Sequence, residues 1–208
     1  MTLSLLINNK KTENMKQLSQ LIGKTDIYII DQILKERYNQ GDIILDAGCA
    51  EGRNLKWFYA NGFNISGIDT AEERLQVAKE NYPKASENFV IGSIERLPYA
   101  DASFDHVLCS AVLHFAQNET HFEKMFKELL RVLKTDGTLF IRIASDIGLD
   151  GKIPFLKEKK TNREGTFYIT RKLIEVLKNK YPIELIDPVK TTNVKDERAM
   201  TTLVIRKN

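Results

Sequence analysis

The sequence predicts an α/β fold: a mostly parallel sheet with helices on both faces, closed by an antiparallel C-terminal hairpin. Three observations predict it. Short apolar runs alternate with helix-period segments along residues 42–144, the pattern of successive βαβ units. Those runs are apolar at consecutive positions, as strands covered on both faces are. Near the end of the chain two strand-like runs lie too close together for a crossover helix, so they must pair antiparallel.

Residues 12–40 read as helical. Leu18, Leu21 and Ile22, then Ile27, Ile30, Leu34 and Tyr38, recur at helical spacing. Gly23 breaks the run, and Thr25 or Asp26 is placed to cap the second piece. Asp42-Ile43-Ile44-Leu45-Asp46 is the first strand, followed by a glycine-rich turn and a helix over 53–61. Residues 63–69 form the second strand, 72–82 a helix stopped by Pro83, and 88–92 the third strand. Residues 104–110 form the fourth strand. A strongly periodic helix spans 118–134, carrying Phe122, Met125, Phe126, Leu129, Leu130 and Leu133. Asp136-Gly137 turns the chain into a fifth strand over 138–144. After a helix at 170–180 come the hairpin strands 183–189 and 200–206, joined by 190–199, which makes seven strands in all.

Composition sets outer bounds. The 208 residues are 42% hydrophobic and 28% charged, ordinary for one globular domain. One domain is expected over 1–208, with a helical segment at 1–40. The Gly- and Lys-rich stretch 146–167 is a long loop of the kind that serves as a lid or substrate loop. Cys49 and Cys109 are the only cysteines; they make no disulfide framework and have no zinc spacing with the three histidines. No apolar stretch approaches membrane-spanning length. The apolar N-terminal residues lack a preceding basic region and a small-residue cleavage site, so no signal peptide is expected and the expected location is cytoplasmic. The net charge of +3 is too small to argue for nucleic acid. Residues 148–180 carry nine Lys/Arg against four acids, a local excess of five. A solvated loop and helix face explains it, with an anion-attracting surface as the alternative.

The chemistry-bearing segment is Asp46-Ala47-Gly48-Cys49-Ala50-Glu51-Gly52-Arg53-Asn54. A strand that ends in a Gly-rich turn before a helix brings backbone N–H groups close to a ligand. The dinucleotide fingerprint needs glycine at positions held by Ala50 and Arg53, so a nicotinamide-dependent oxidoreductase fits poorly. An acid two residues before the first glycine is badly placed for a pyrophosphate and well placed for a ligand with ammonium and sulfonium charges.

Asp46-x-Gly48-x-Ala50-x-Gly52 resembles the first motif of class I S-adenosylmethionine-dependent methyltransferases, with Ala50 where the middle glycine is usual. Alanine is a small change there, unless the position needs a positive φ. Gly67-Ile68-Asp69 resembles the family's second strand end. Gly92-Ser93-Ile94-Glu95-Arg96-Leu97-Pro98-Tyr99 resembles its Gly-Asp-Ala-Glu-x-Leu-Pro-Phe segment. Phe104–Val107 and Leu133–Leu139 resemble its fourth strand and the turn into its fifth. One such motif is weak evidence; five in order across residues 40–145 are strong. The broad small-molecule "type 11" set is the subgroup it looks like.

The resemblance implies a Rossmann-like fold, S-adenosyl-L-methionine as cofactor and a small-molecule methyl acceptor. It also implies site roles. Asp46 orders the turn and, directly or through water, the methionine ammonium. The Gly48, Cys49, Ala50, Gly52 backbone, with Asn54 beyond it, lies against the methionyl and ribose portion. Asp69 accepts the ribose hydroxyls, Thr70 lines the adenine pocket, and Ser93 stands where an Asp commonly receives the adenine amino group. Ile94 walls the ring, and Ser110 faces the methionine side. Cys49 reads as a packing residue of the turn or as a reactive thiol. His114, just past the fourth strand, reads as a general base or as a histidine at a helix start with no chemistry; His106 and His121 read as surface or packing residues. Tyr28 and Tyr168 either close over the ligands or pack. No metal is implied. Alternatives are methylation of tRNA or other RNA, and a non-catalytic S-adenosylmethionine-binding module. Nucleic-acid acceptors are disfavoured, since the chain has neither an Asn-Pro-Pro-type motif nor a Pro-Cys pair.

Overall fold

A computed structural model of the protein describes residues 18–149 and 167–208. Most of the expected lid loop, and the first part of the N-terminal helical segment, lie outside the described residues.

The strands are β1 (Ile43–Ala47), β2 (Asn64–Asp69), β3 (Phe89–Ile91), β4 (Phe104–Ser110), β5 (Leu133–Ser145), β6 (Ile183–Leu185), β7 (Lys190–Val194) and β8 (Arg198–Lys207). The helices are α1 (Ile27–Leu34), α2 (Lys56–Ala60), α3 (Glu72–Asn81), α4 (Glu119–Val132) and α5 (Arg171–Lys180); residues 18–22 are also helical. All eight strands form one sheet in the order β3-β2-β1-β4-β5-β8-β6, with β7 also on β8. The first five pair in parallel, and β8 runs antiparallel to β5, β6 and β7.

Side chains alternate between two cores, as strand geometry requires. Leu45, Val107, Leu139 and Ile141 face α4 and α5, with Phe122, Phe126, Leu129 and Leu177. Ile44, Leu108, Phe140 and Val204 face the other way, onto Ile29 of α1, Phe58 of α2 and Leu75 of α3. Cys109 belongs to the first core and is fully buried. His106 is buried as well, bonded to Thr138 at 2.7 Å and Asp42 at 2.9 Å.

Three expectations are corrected. The N-terminal helix ends at Leu34 rather than near 40; beyond its C-cap at Lys35 the chain turns, with Glu36 at φ +54°. β5 starts at Leu133, five residues before the expected Thr138. Its register to β4 shifts between Phe104 and His106, and Asp136 sits at φ +63° in the irregular stretch. The final hairpin is longer than expected and broken. Pro188, without an N–H, lies in the gap 186–189 that separates β6 from β7. Residues 190–194, expected as loop, form a strand. The turn itself needs only residues 195–197, because Lys195 and Asp196 both adopt φ +55° and Glu197 N–H closes onto Val194 O at 3.0 Å.

Candidate functional site

From β1 the chain steps outward through β2 and β3, then returns to β4 on the other side of β1. The order therefore reverses beside β1, and the crevice at the C-terminal strand ends there is where open α/β sheets take ligands. A cavity of about 700 Å³ lies there.

The turn after β1 forms its floor. Gly48 adopts φ +81°, and an added Cβ would stand 2.3 Å from Val112 Cγ2. Its N–H and that of Cys49 donate to Ile68 O at 2.8 and 3.0 Å, tying the turn to β2. Ala50 sits at φ +48°, the left-handed region that the usual glycine would enter without strain. Its N–H donates to Asp69 Oδ2 at 2.8 Å, a charge-assisted bond that holds the turn in place. Asp69 Oδ1 accepts from Ala71 N–H at 2.9 Å. Each carboxylate oxygen thus keeps accepting capacity on the cavity wall.

Of the residues singled out from the sequence, Gly48, Cys49, Ala50, Asn54, Asp69, Thr70, Ser93, Ile94 and Ser110 line this cavity. Asp46, Gly52 and His114 do not. Gly52 turns away, its carbonyl accepting from the Tyr82 hydroxyl at 2.7 Å. Cys49 packs in the second core; burial pushes its thiol up and the Asp46 and Asp69 charges push it further, so it is held as an inert thiol. Ser93 Oγ accepts from Glu95 N–H at 3.2 Å.

Asp46 is wholly buried beneath the turn. Neither of its oxygens is at hydrogen-bond geometry with a partner among the described residues. Burial pushes its pKa up to about 7; the Arg53 charge and Asn54 oppose this, and Asp69 adds to it. A buried carboxylate left so poorly compensated is costly, and a cationic group brought to the turn would relieve it.

His114 lies in the one-turn helix Leu113–Phe115, its ring 4.5 Å from that of Phe115. Burial pushes its pKa down to about 4, and its Nδ1 is buried with no hydrogen-bond partner among the described residues. It is therefore neutral at neutral pH.

Other lining residues had been given no site role, among them Arg53, Arg74, Glu95, Phe115 and Met125. His121, expected as a surface or packing residue, also lines the cavity; its Nε2 stands 3.1 Å from Glu95 Oε1. Arg53 was legible beside Gly52. The α4 residues reach the cavity only through tertiary packing and carry no local signal. Asp26 was expected as a cap and is one, accepting from Tyr28 N–H at 3.0 Å. It is also a hub. Its Oδ2 accepts from Ser110 Oγ at 3.0 Å and from Arg142 Nη1 at 2.7 Å, and its N–H donates to Asn54 Oδ1 at 3.1 Å. Among the described residues no cluster of His, Cys, Asp and Glu is placed to hold a metal ion, and no helix is long and apolar enough to cross a membrane.

Residues 45–141 match the family model described as a methyltransferase domain. An uncharacterized methyltransferase of Schizosaccharomyces pombe is 30% identical over 105 residues, covering 50% of this chain and 72% of that protein. An uncharacterized protein of Methanocaldococcus jannaschii is 31% identical over 144 residues, 65% of this chain and 53% of that one. The chain spans about half the length of the curated relatives that lead its matches. Among solved structures, the 1,6-didemethyltoxoflavin-N1-methyltransferase of Burkholderia thailandensis superposes with a TM-score of 0.66 at 16% identity. The match covers 99% of this chain and 86% of that one. Likeness at that identity is a likeness of fold.

Proposed function

The chain belongs to the class I S-adenosylmethionine-dependent methyltransferases, and from that premise we propose that it transfers a methyl group to a small-molecule acceptor. The observation that carries this reading is Asp69. It ends β2 on the cavity wall, already holds the Ala50 turn, and offers two oxygens with capacity for a vicinal diol. The residues present fit the cofactor. The cavity has the volume of a site for a ligand of that size, and the orphaned carboxylate of Asp46 suits a neighbouring cation. When bound, S-adenosyl-L-methionine supplies an activated methyl on a sulfonium sulfur, open to in-line displacement.

The chain's own residues bind, orient and exclude water. Asp69 holds the ribose hydroxyls and Thr70 the base side, with Ile94 as an apolar wall and Ser93 as a hydroxyl toward the adenine amino group. Asp46 orders the turn and balances the ammonium. Ser110, its hydroxyl fixed on Asp26, marks the methyl end. Positioning supplies most of the rate in such a reaction. His114 is a poor base for an acceptor that must lose a proton: it does not line the cavity, and burial holds its pKa down at about 4, so it binds a proton only weakly at neutral pH. The small-molecule reading is supported by the concave site and by the mild net charge. The Burkholderia relative in fold holds 1,6-didemethyltoxoflavin beside S-adenosylhomocysteine.

Calorimetric titration with S-adenosylhomocysteine, with NADH as the control, tests the reading. The expected result is binding of the first alone. Asp69→Ala should weaken it by at least about a hundredfold, since each hydrogen bond to a charged group contributes roughly 1.5–3 kcal/mol. Unchanged binding in that variant refutes the pocket.

A further inference from the structure

On the α1 side of the sheet the row Leu108–Phe140–Val204 is apolar and buried. The next row toward the cavity is polar. Ser110 of β4 lies opposite Arg142 of β5, Arg142 opposite Thr202 of β8, and Thr202 opposite Lys190 of β7. Directly opposed residues share a face, so these four form one polar line that begins at the cavity wall.

Ser110 gives its hydroxyl to Asp26 at 3.0 Å and Lys190 its ammonium to Asp31 at 2.7 Å; the two members between them keep polar atoms without a partner among the described residues. A guanidinium has five N–H donors and no acceptor. Arg142 gives Nη1 to Asp26, while its Nε is buried with no hydrogen-bond partner among the described residues. Thr202 Oγ1 beside it is in the same condition. The guanidinium carbon lies 5.2 Å from the Tyr28 ring centroid, and Lys190 Nζ lies 6.0 Å from the same ring. The half-buried ring is held by its hydroxyl, 2.6 Å from Thr192 Oγ1. Buried polar atoms of this kind are rare in folded proteins and ask for an explanation.

We infer that this line is the anchor for a carboxylate on the methyl acceptor, taken by Arg142 Nε and the Thr202 hydroxyl, with Tyr28 flanking it. Asp26 is the positioning residue that fixes both Ser110 and Arg142. The inference rests on the proposed cofactor reading and names the acceptor class for the same site. Three strand spacings, about 14 Å, separate β2, which carries Asp69, from β5, which carries Arg142. Ser110 alone of the line borders the described cavity, and from it the line runs away from the ribose side, the direction from which an acceptor has to approach. A carboxylate presents two oxygens in one plane, which suits a guanidinium edge better than a point charge would.

The test follows the Arg142 Nε–H resonance in nitrogen-labelled full-length protein, assigned by its loss in Arg142→Lys. The protein is first saturated with S-adenosylhomocysteine, then titrated with benzoate or, at equal ionic strength, with the neutral benzamide. The expected result is a saturable shift with benzoate and none with benzamide. Thr202→Val should weaken benzoate several-fold and leave S-adenosylhomocysteine affinity unchanged, which keeps the test open if the arginine variant fails to fold. No benzoate shift, or equal shifts with both probes, overturns the inference. So does a shift produced by S-adenosylhomocysteine alone together with weaker binding of it by Arg142→Lys, which would give Arg142 to the cofactor. Failure of S-adenosylhomocysteine to bind in calorimetry overturns the cofactor reading itself.

Discussion

Ala50 carries a strain that its neighbours override. A non-glycine residue in the left-handed region costs about 1–2 kcal/mol, yet Ala50 stays at φ +48° because Asp69 holds its N–H. Strain of this kind is found where a site over-determines the backbone. Ala50→Gly should therefore stabilise the protein by about 1 kcal/mol in denaturant titrations, the relief of strain exceeding the roughly 0.5–1 kcal/mol of added chain entropy. Asp46 makes the second argument at this scale. Its pKa is raised above the unfolded value, so its contribution to stability is whole below the ordinary carboxylate range and is lost as pH rises through about 7. A ligand ammonium favours the ionised form. Affinity for S-adenosylhomocysteine should then fall as pH drops through about 7, with a proton released on binding, read by calorimetry in two buffers of different ionisation enthalpy. Asp46→Asn should abolish both the proton release and the pH-dependence.

At the scale of elements, α1 is fixed at both ends by acids. Asp26 starts it and ties it to β4 and β5. Past its end, Asp187 from the gap between β6 and β7 accepts from Gln32 at 2.9 Å, Lys35 at 2.5 Å and Arg37 at 2.5 Å. Burial raises the Asp187 pKa, but Lys35, Gln32 and Arg37 outweigh it and leave it at about 2. A carboxylate depressed in the folded state adds stability above its unfolded pKa and loses it as pH falls through the folded one. Asp187→Ala should cost about 2–3 kcal/mol at neutral pH and nothing in acid below about 2, as chemical denaturation across that range would show. This clamp also shows where the sequence was silent. Strands β1 to β4 and helices α3 to α5 were legible, because burial on both faces of a strand or on one stripe of a helix writes a local pattern. The docking of α1 depends on Asp187, which follows it by more than a hundred and fifty residues and has no local signature. The irregular start of β5 was hidden for another reason: Asp136-Gly137 reads as the turn that opens a strand, whereas the chain passes through it inside one.

The molecule as a whole gathers the legible and the illegible residues of the cavity at the C-terminal ends of its parallel strands. The turn after β1 and the acid that ends β2 were readable because a close backbone approach and a carboxylate that holds the turn's N–H each demand particular residue types at fixed offsets. His121, Met125 and Phe115 reach the same cavity from α4 and its approach, and Arg142 reaches its row through strand pairing; only the fold brings them there. A ligand gripped by loops from β1, β2, β3 and β4 together couples to global unfolding, since separating any of these strands from its neighbour dismantles the site. Binding then stabilises the whole domain by mass action, about 2.7 kcal/mol at a ligand concentration a hundredfold above Kd. For a chain of this size each kcal/mol raises Tm by about 2–4 °C, so S-adenosylhomocysteine should raise it by roughly 5–10 °C in a thermal melt. NADH should leave it unmoved. Asp69→Ala should erase the shift while itself melting cooperatively. A shift that survives in Asp69→Ala would place the ligand away from the β2 acid, whereas equal shifts with both ligands would mean that the crevice selects for adenosine alone and not for the methionyl arm.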